Sequence, residues 1–509
     1  QHPAGDTGTD SARAYRPACV TGSDRSSSGA PEKNLHAGIV MKILALLAAC
    51  LLAGCAANAP LRDDSESTCA DMRPCSDSYY ERHPNYEIGF VEYSERGNDF
   101  APARTQRLID QLKRYSARGD IAMVVFIHGW KHNAGRDDGN VASFNKALAN
   151  LASSGVLGKR RLVGLYVGWR GKSMHGLYSE NLTYWDRKAV AEEVGRGGVA
   201  ELLAQLERID RKDRNYLVIV GHSFGGAITL GALHDPLLER LLALQDGQRI
   251  RAFGDAVIML NPAIEANQGL LLKENSLKVG ALGARPPPLL YVISSHGDSA
   301  THFAFPLGQW VGVNLTWSQV DLDRTYNGTR YRLREEDLDT TALGNYSLYR
   351  TALLIDRECP LPDGSDNCAP RPPEPRVIDD TDIGKWRFRS FCSADGGNAD
   401  PALPRMPCYS NEPVNFIYTS QSFIADHNDI FNDQVIAFMA TAVSKAIYER
   451  TAGASYYREC HDPVRKNFSF GKCFDFHYLK ATAMHRRLQR QLSEPGTRSE
   501  QDVLYENPL

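Results

Sequence analysis

Tyr216-Leu217-Val218-Ile219-Val220-Gly221-His222-Ser223-Phe224-Gly225-Gly226-Ala227 is the stretch on which the fold turns. An apolar run stops at Gly221, and helix-forming residues resume at Ala227. Such a run reads as a strand buried in a parallel sheet. The Gly-x-Ser-x-Gly between strand and helix reads as a bend too tight for side chains at its flanks, hence Gly221 and Gly225. A serine at the tip is lifted above the sheet, and a helix N-terminus points at whatever reacts there. Ser223 is therefore a candidate nucleophile. The five-residue pattern alone is common by chance; the strand before it and the helix after it give it weight.

The same alternation extends along the chain. Tyr86 to Tyr93 reads as a first strand, and 103–117 as a helix with Leu108, Ile109, Leu112 and Tyr115 at helical spacing. Ile121 to Ile127 and Leu162 to Val167 read as strands, with helices over 142–153 and 186–210. After the serine turn come a helix from Phe224 to Leu233 and strands at Asp255 to Leu260, Leu289 to Ile293 and Val414 to Tyr418. A helix from Asp429 to Ile447 follows. Strands separated by helices indicate an α/β fold with a mostly parallel sheet covered on both faces. The core then spans 86–301 and 414–450. The stretch 302–413 is too long for a connection and reads as an insertion packed over one end of the sheet. Residues 451–509 read as a polar C-terminal extension.

Three further signals sit at strand ends. Val124-Val125-Phe126-Ile127-His128-Gly129-Trp130 places His-Gly after an apolar strand. A developing oxyanion needs two backbone N–H donors; Trp130 and Phe224 are the candidates, with Gly129 giving the loop room and His128 bracing it. Leu290-Tyr291-Val292-Ile293-Ser294-Ser295-His296-Gly297-Asp298 offers a carboxylate after a strand, with Glu265 as the rival. Either could orient an imidazole; an Asx turn is the plain alternative for Gly-Asp. Among the histidines after Asp298, His427 follows the last strand and precedes an amphipathic helix, whereas His302 is too close to Asp298 and His461, His477 and His485 lie in the extension.

With these residues in order, the chain resembles the α/β-hydrolase superfamily, lipase and esterase branch. Phe126-Ile127-His128-Gly129-Trp130-Lys131-His132-Asn133 and Tyr166-Val167-Gly168-Trp169-Arg170-Gly171 look like a group of bacterial and fungal hydrolases of unassigned substrate. The resemblance implies ester hydrolysis through an acyl-enzyme, with Ser223, Asp298 and His427 in the chain order of that branch and with neither metal nor organic cofactor. It fixes no substrate, because the fold hosts many chemistries. The long insertion departs from the minimal fold. Trp130, Trp169, Tyr184 and Trp185 either line a pocket or pack the core; Arg170 and Lys172 either meet an acidic substrate group or face solvent.

The N-terminal part reads separately. Residues 1–40 show no periodicity and read as an upstream extension. Residues 41–55 combine Lys42, an apolar stretch and Leu52-Ala53-Gly54-Cys55, which resembles a bacterial lipoprotein signal with lipid on Cys55. Its apolar run of about 13 residues is too short to span a bilayer. Residues 56–85 read as a tether. Of the 11 cysteines, 8 follow Cys55, in close pairs: Cys69 with Cys75, Cys359 with Cys368, Cys392 with Cys408, and Cys460 with Cys473. An even count in an exported chain points to disulfides, here as staples of surface loops; the absence of CxxC spacing disfavours metal. Net charge of −3 gives no footprint for nucleic acid. The expected partners are thus a small-molecule or lipid ester and the envelope membrane. An acyltransferase using an alcohol in place of water, or a silent ligand-binding lipoprotein, are the competing readings.

Overall fold

The computed structural model describes residues 59–493 apart from 155, 171–183, 211–213, 284–285, 310–319, 327, 357–378, 384–385, 391, 393–405, 451–454 and 464–466. The chain divides into Gln1–Ala57 and Asn58–Leu509, and the first of these units lies outside the described residues. So do Cys55, the expected signal, Lys172, Cys359 and Cys368.

The strands are β1 (Asp63–Thr68), β2 (Ser78–Arg82), β3 (Glu87–Tyr93), β4 (Ile121–Ile127), β5 (Arg161–Trp169), β6 (Tyr216–His222), β7 (Ala256–Leu260) and β8 (Leu290–Ser295), then β9 (Asp321–Tyr326), β10 (Thr329–Arg334), β11 (Ala352–Asp356), β12 (Asp379–Ile383), β13 (Trp386–Ser390) and β14 (Val414–Thr419). Of these, all but β9 and β10 form one 12-stranded sheet in the order β1-β2-β3-β5-β4-β6-β7-β8-β14-β11-β13-β12, and two short strands, β15 (His461–Asp462) and β16 (Asn467–Phe468), pair separately. From β3 across to β11 every pairing is parallel; β2 with β3 and β13 with its neighbours are antiparallel. The α/β class with a mostly parallel sheet is therefore observed.

The central parallel strands are buried on both faces, which is why they read as continuous apolar runs. On β4, Ile121, Met123, Val125 and Ile127 join one apolar cluster, whereas Ala122 and Phe126 join the other, the alternation that a period of two imposes. The first cluster takes residues from α1 (Pro102–Arg118), α4 (Ala200–Asp210), α5 (Phe224–Gln245) and α6 (Leu270–Ala281). The second takes them from α2 (Gly139–Ser153), α8 (Asp433–Arg450) and α9 (Phe470–Ser493). Two further helices are α3 (Tyr184–Val194) and α7 (Glu335–Thr340). Among the described residues no helix is long and apolar enough to cross a membrane.

Several boundaries differ from the sequence expectation. The helix after Ser223 runs on to Gln245 through Pro236. A mid-helix proline costs ~3 kcal/mol, but Leu237 and Leu241 beyond it are fully buried, each contributing ~2 kcal/mol. The expected helix over 186–210 is two helices, because Gly197 leaves the helical region where its Cβ would lie 2.9 Å from the Gly97 carbonyl oxygen. Residues 56–85, read as a tether, contribute β1 and β2, and Arg62 and Glu81 form a buried ion pair there at 3.0 Å. The stretch 302–413 does not sit over one end of the sheet alone: β11, β13 and β12 prolong it past β14, pairing an edge that would otherwise be exposed. Nor is 451–509 merely a polar extension, since Cys473 and Phe474 of α9 are buried in the second cluster. The sulfurs of Cys69–Cys75, Cys392–Cys408 and Cys460–Cys473 are at bonding distance. The last two pairs are buried, so they lie within packed structure and not on surface loops.

Candidate active site

Ser223 caps α5 with φ +54° and ψ −122°, a conformation that costs a non-glycine residue about 1–3 kcal/mol. Close packing holds it there. Its N–H donates to the Leu260 carbonyl at 3.1 Å, and its own carbonyl accepts from Gly226 and Ala263 at 2.9 and 3.1 Å. Gly225 presses so closely on the end of β4 that a Cβ would lie 2.0 Å from the Ile127 carbonyl oxygen, and a Cβ on Gly221 would meet the Thr229 hydroxyl at 2.2 Å. Gly225→Ala is expected to destabilise the chain by about 1–3 kcal/mol through overpacking and to displace Ser223; urea unfolding alongside the labelling assay described below checks both.

Three residues meet at the C-terminal ends of the strands. His427 Nε2 lies 2.8 Å from Ser223 Oγ, and His427 Nδ1 lies 2.9 Å from Asp298 Oδ1. His427 sits in the loop between β14 and α8. That helix starts at Asp433, later than the expected Asp429, because the Asn432 side chain accepts from the Val435 N–H and serves as its cap. Asp298 is fully buried. Its Oδ1 also accepts from the N–H groups of Ala300 and Thr301 at 2.9 and 3.1 Å, and its Oδ2 accepts from the Thr301 hydroxyl at 2.6 Å. Burial pushes its pKa up, but the adjoining His427 and these hydrogen bonds outweigh that and hold it below the ordinary carboxylate value.

The other sequence candidates are engaged elsewhere. Glu265 pairs with Lys188 at 2.6 Å and with Gln309. His302 meets the Tyr418 hydroxyl, His461 the Tyr448 hydroxyl, His477 the Ser444 hydroxyl and His485 the Asp433 carboxylate. Trp169 packs in the core, its indole N–H donating to the His128 carbonyl at 2.8 Å. Trp130 is partly buried, with its ring 6.2 Å from that of Phe224. Arg170 faces Glu95 at 3.9 Å. The side chains of Tyr184 and Trp185 lie outside the described residues.

The loop after β4 flanks the serine. A Cβ on Gly129 would lie 2.8 Å from that of Ser223, so this loop passes directly beside the serine. His128 is completely buried and stacks on Trp169. Its Nε2 accepts from the Trp169 N–H at 3.1 Å, which leaves Nδ1–H to donate to the Gly129 carbonyl at 2.8 Å. Burial pushes its pKa down to about 4. In the unfolded chain the same ring titrates near 6.5, so between about 6.5 and 4 the unfolded state binds the proton and the folded state does not. Stability therefore rises with pH across that window. Acidifying from pH 7 to 5 is expected to cost ~2 kcal/mol through His128 alone. Urea unfolding of wild type and His128→Gln at both pH values checks this; an equal drop in the two proteins would remove His128 as the cause.

Sequence reasoning missed the residues that hold the three in place. The Nε2–H of His222 donates to the His427 carbonyl at 2.8 Å, and Asn261 Nδ2 donates to the same oxygen at 3.2 Å. Both sit where a parallel strand ends in a polar residue, β6 and β7 being paired through His222 and Leu260; that placement was the available signal. Asn345 donates to the Thr301 hydroxyl at 3.0 Å and had no local signal. Cys460, Cys473 and His477, and likewise Cys69, Glu81 and His83, lie close enough together to share a metal ion, but in each group the cysteines are joined in disulfides.

No protein-family model, curated protein or solved structure matches this chain.

Proposed function

We propose that the protein is a serine hydrolase of the α/β-hydrolase fold that cleaves carboxylic esters through an acyl-enzyme. The observation that carries this reading is the hydrogen-bonded chain from Ser223 Oγ through His427 to Asp298, at the C-terminal ends of β6, β8 and β14. Ligands of open α/β sheets occupy that end. The strand-turn-helix setting of Ser223 and the order Ser, Asp, His are those of the resemblance noted above.

In this mechanism His427 Nε2 takes the proton of Ser223 as Oγ attacks the ester carbonyl. The N–H groups of Trp130 and Phe224 hold the oxyanion. Asp298 accepts from His427 Nδ1–H, so the tautomer leaves Nε2 free as base, and it stabilises the imidazolium that forms. His427 then protonates the leaving alcohol; later it takes a proton from water as that water attacks the acyl carbon, and returns it to Ser223 Oγ as the bond to the acyl group breaks. The substrate in this reading is a small-molecule or lipid ester, and the Cys55 motif supports a lipid-anchored envelope location.

The test is labelling with a fluorophosphonate followed by a panel of p-nitrophenyl esters of graded chain length. Wild type is expected to label at Ser223 and to hydrolyse part of the panel. An unlabelled wild type, or a Ser223→Ala variant labelled equally, sinks the reading.

A further inference from the structure

Glu265, displaced from the role of catalytic acid, has a geometry that the hydrolytic chain does not use. The Ala263 N–H donates to the Ser223 carbonyl at 3.1 Å, and a Cβ on Gly226 would meet Pro262 at 2.8 Å. Residues 262–263 therefore form one wall of the serine turn. Glu265 follows two residues on, within about 7.6 Å of Ala263 between Cα atoms at 3.8 Å per residue. It is only 7% exposed. Its Oε1 takes both Lys188 Nζ, at 2.6 Å, and the Gln309 side-chain amide. Its Oε2 is buried and, among the described residues, has no hydrogen-bond partner.

Three separate segments thus converge to hold one carboxylate with one buried oxygen unpaired: α3, the link after β7, and the helical turn after β8. A buried acceptor without a donor is destabilising by about 1–3 kcal/mol, so one kept in the segment that leaves the wall of the serine turn points to a donor that arrives with a ligand. The charge balance narrows the donor. Lys188 already sits on Glu265 and, at 3.0 Å, on Glu192, so a second cation would meet like charge. Its ammonium has three N–H donors, and two of them face these carboxylates. A hydroxyl suits both groups, donating to Glu265 Oε2 and accepting from Lys188.

We infer that Glu265 is a substrate-recognition residue whose Oε2 accepts a hydrogen bond from a hydroxyl carried by the ester substrate near its scissile bond. The inference rests on the hydrolase reading above and names the substrate class within it.

The experiment compares kcat/KM within two matched pairs: p-nitrophenyl 3-hydroxybutyrate against p-nitrophenyl butyrate, and glyceryl 1-monobutyrate against n-propyl butyrate. Sites built to bond a hydroxyl can discriminate by up to about 10^4–10^5-fold. Wild type is expected to favour the hydroxylated member of at least one pair by about tenfold or more. In Glu265→Gln the ratio should fall several-fold, because Lys188 and Gln309 retain the amide oxygen, the charge-assisted acceptor is lost, and the amide N–H can only donate to the hydroxyl in a weaker neutral bond. Reading the ratio within one protein cancels any uniform loss of active material. Should Glu265→Gln yield no folded protein, Gln309→Leu, which loosens the carboxylate without removing it, must lower the ratio. Equal values in both pairs, or a preference undiminished in Glu265→Gln, overturns the inference while ester turnover leaves the hydrolase reading standing. Absence of both turnover and fluorophosphonate labelling overturns the two together.

Discussion

Ser223→Ala is expected to abolish labelling by a fluorophosphonate and to lower kcat for any ester the wild type cleaves by about 10^4-fold or more. His427 Nε2 reaches the hydroxyl at 2.8 Å, and an alanine methyl can neither attack nor donate. Any remaining rate then reflects oxyanion donors and substrate binding alone. The fold should survive, because the backbone bonds of residue 223 to Leu260, Gly226 and Ala263 do not involve the side chain. Ser223→Gly separates the two roles of this residue. It is equally inactive, yet glycine adopts φ +54° without a Cβ clash. It is expected to raise stability over Ser223→Ala by roughly 1 kcal/mol. Thermal unfolding of the three proteins checks the order; a glycine variant less stable than the alanine one would show that the turn is not strained.

Asp298→Asn is expected to lower kcat by about 10^2–10^3-fold, short of the ~10^4-fold seen where such a change reverses the histidine tautomer. The reason lies in the donors around the carboxylate. Ala300 and Thr301 direct their N–H groups at Oδ1, the same oxygen that meets His427. An asparagine therefore keeps its oxygen there and turns its amide nitrogen to the Thr301 hydroxyl. His427 Nδ1–H retains an acceptor, Nε2 remains free for Ser223, and what is lost is the negative charge. Asp298→Leu removes the acceptor as well and should be at least tenfold worse; equal rates for the two variants would refute the orientation argued here. The same substitution alters acid stability. Asp298 is held below its unfolded value, so its contribution is present above about pH 4 and is lost as pH falls through the folded value. Asp298→Asn should lose that part of the acid dependence, measurable by urea unfolding between pH 5 and pH 3.

The elements that the sequence placed well are those with one dominant local term. β4, β6, β7 and β8 are buried on both sides, so their apolar runs are unbroken and their ends fall where glycine or polar residues appear. The serine turn was equally legible, since a Cβ at Gly225 or Gly221 has no space whatever the rest of the chain does. What misled were stretches whose local chemistry is polar but whose burial is long-range. Arg62 and Glu81 look like tether residues until each is seen to neutralise the other inside the sheet's edge. Pro236 looks like a helix end until Leu237 and Leu241 are seen to be buried beyond it.

The site divides in the same way. Ser223, Asp298 and His427 could each be named from their position after a strand, because parallel strands deliver their C-terminal ends to one edge. Glu265 has an equivalent position, and sequence alone left it as a rival acid. Only the tertiary structure separates the two carboxylates, through contacts between segments distant in the chain: His427 reaches Asp298, while Lys188 and Gln309 take Glu265. His222 and Asn261 belong to this second class too, since their shared partner is a backbone carbonyl that no side-chain pattern records. The sequence by itself determined the alternation of strands and helices, the serine turn and the set of candidate side chains, because steric limits and burial periodicity act within a few residues. Which carboxylate faces the histidine, and which is held by Lys188 and Gln309 with one buried oxygen unpaired, was decided by packing between distant segments.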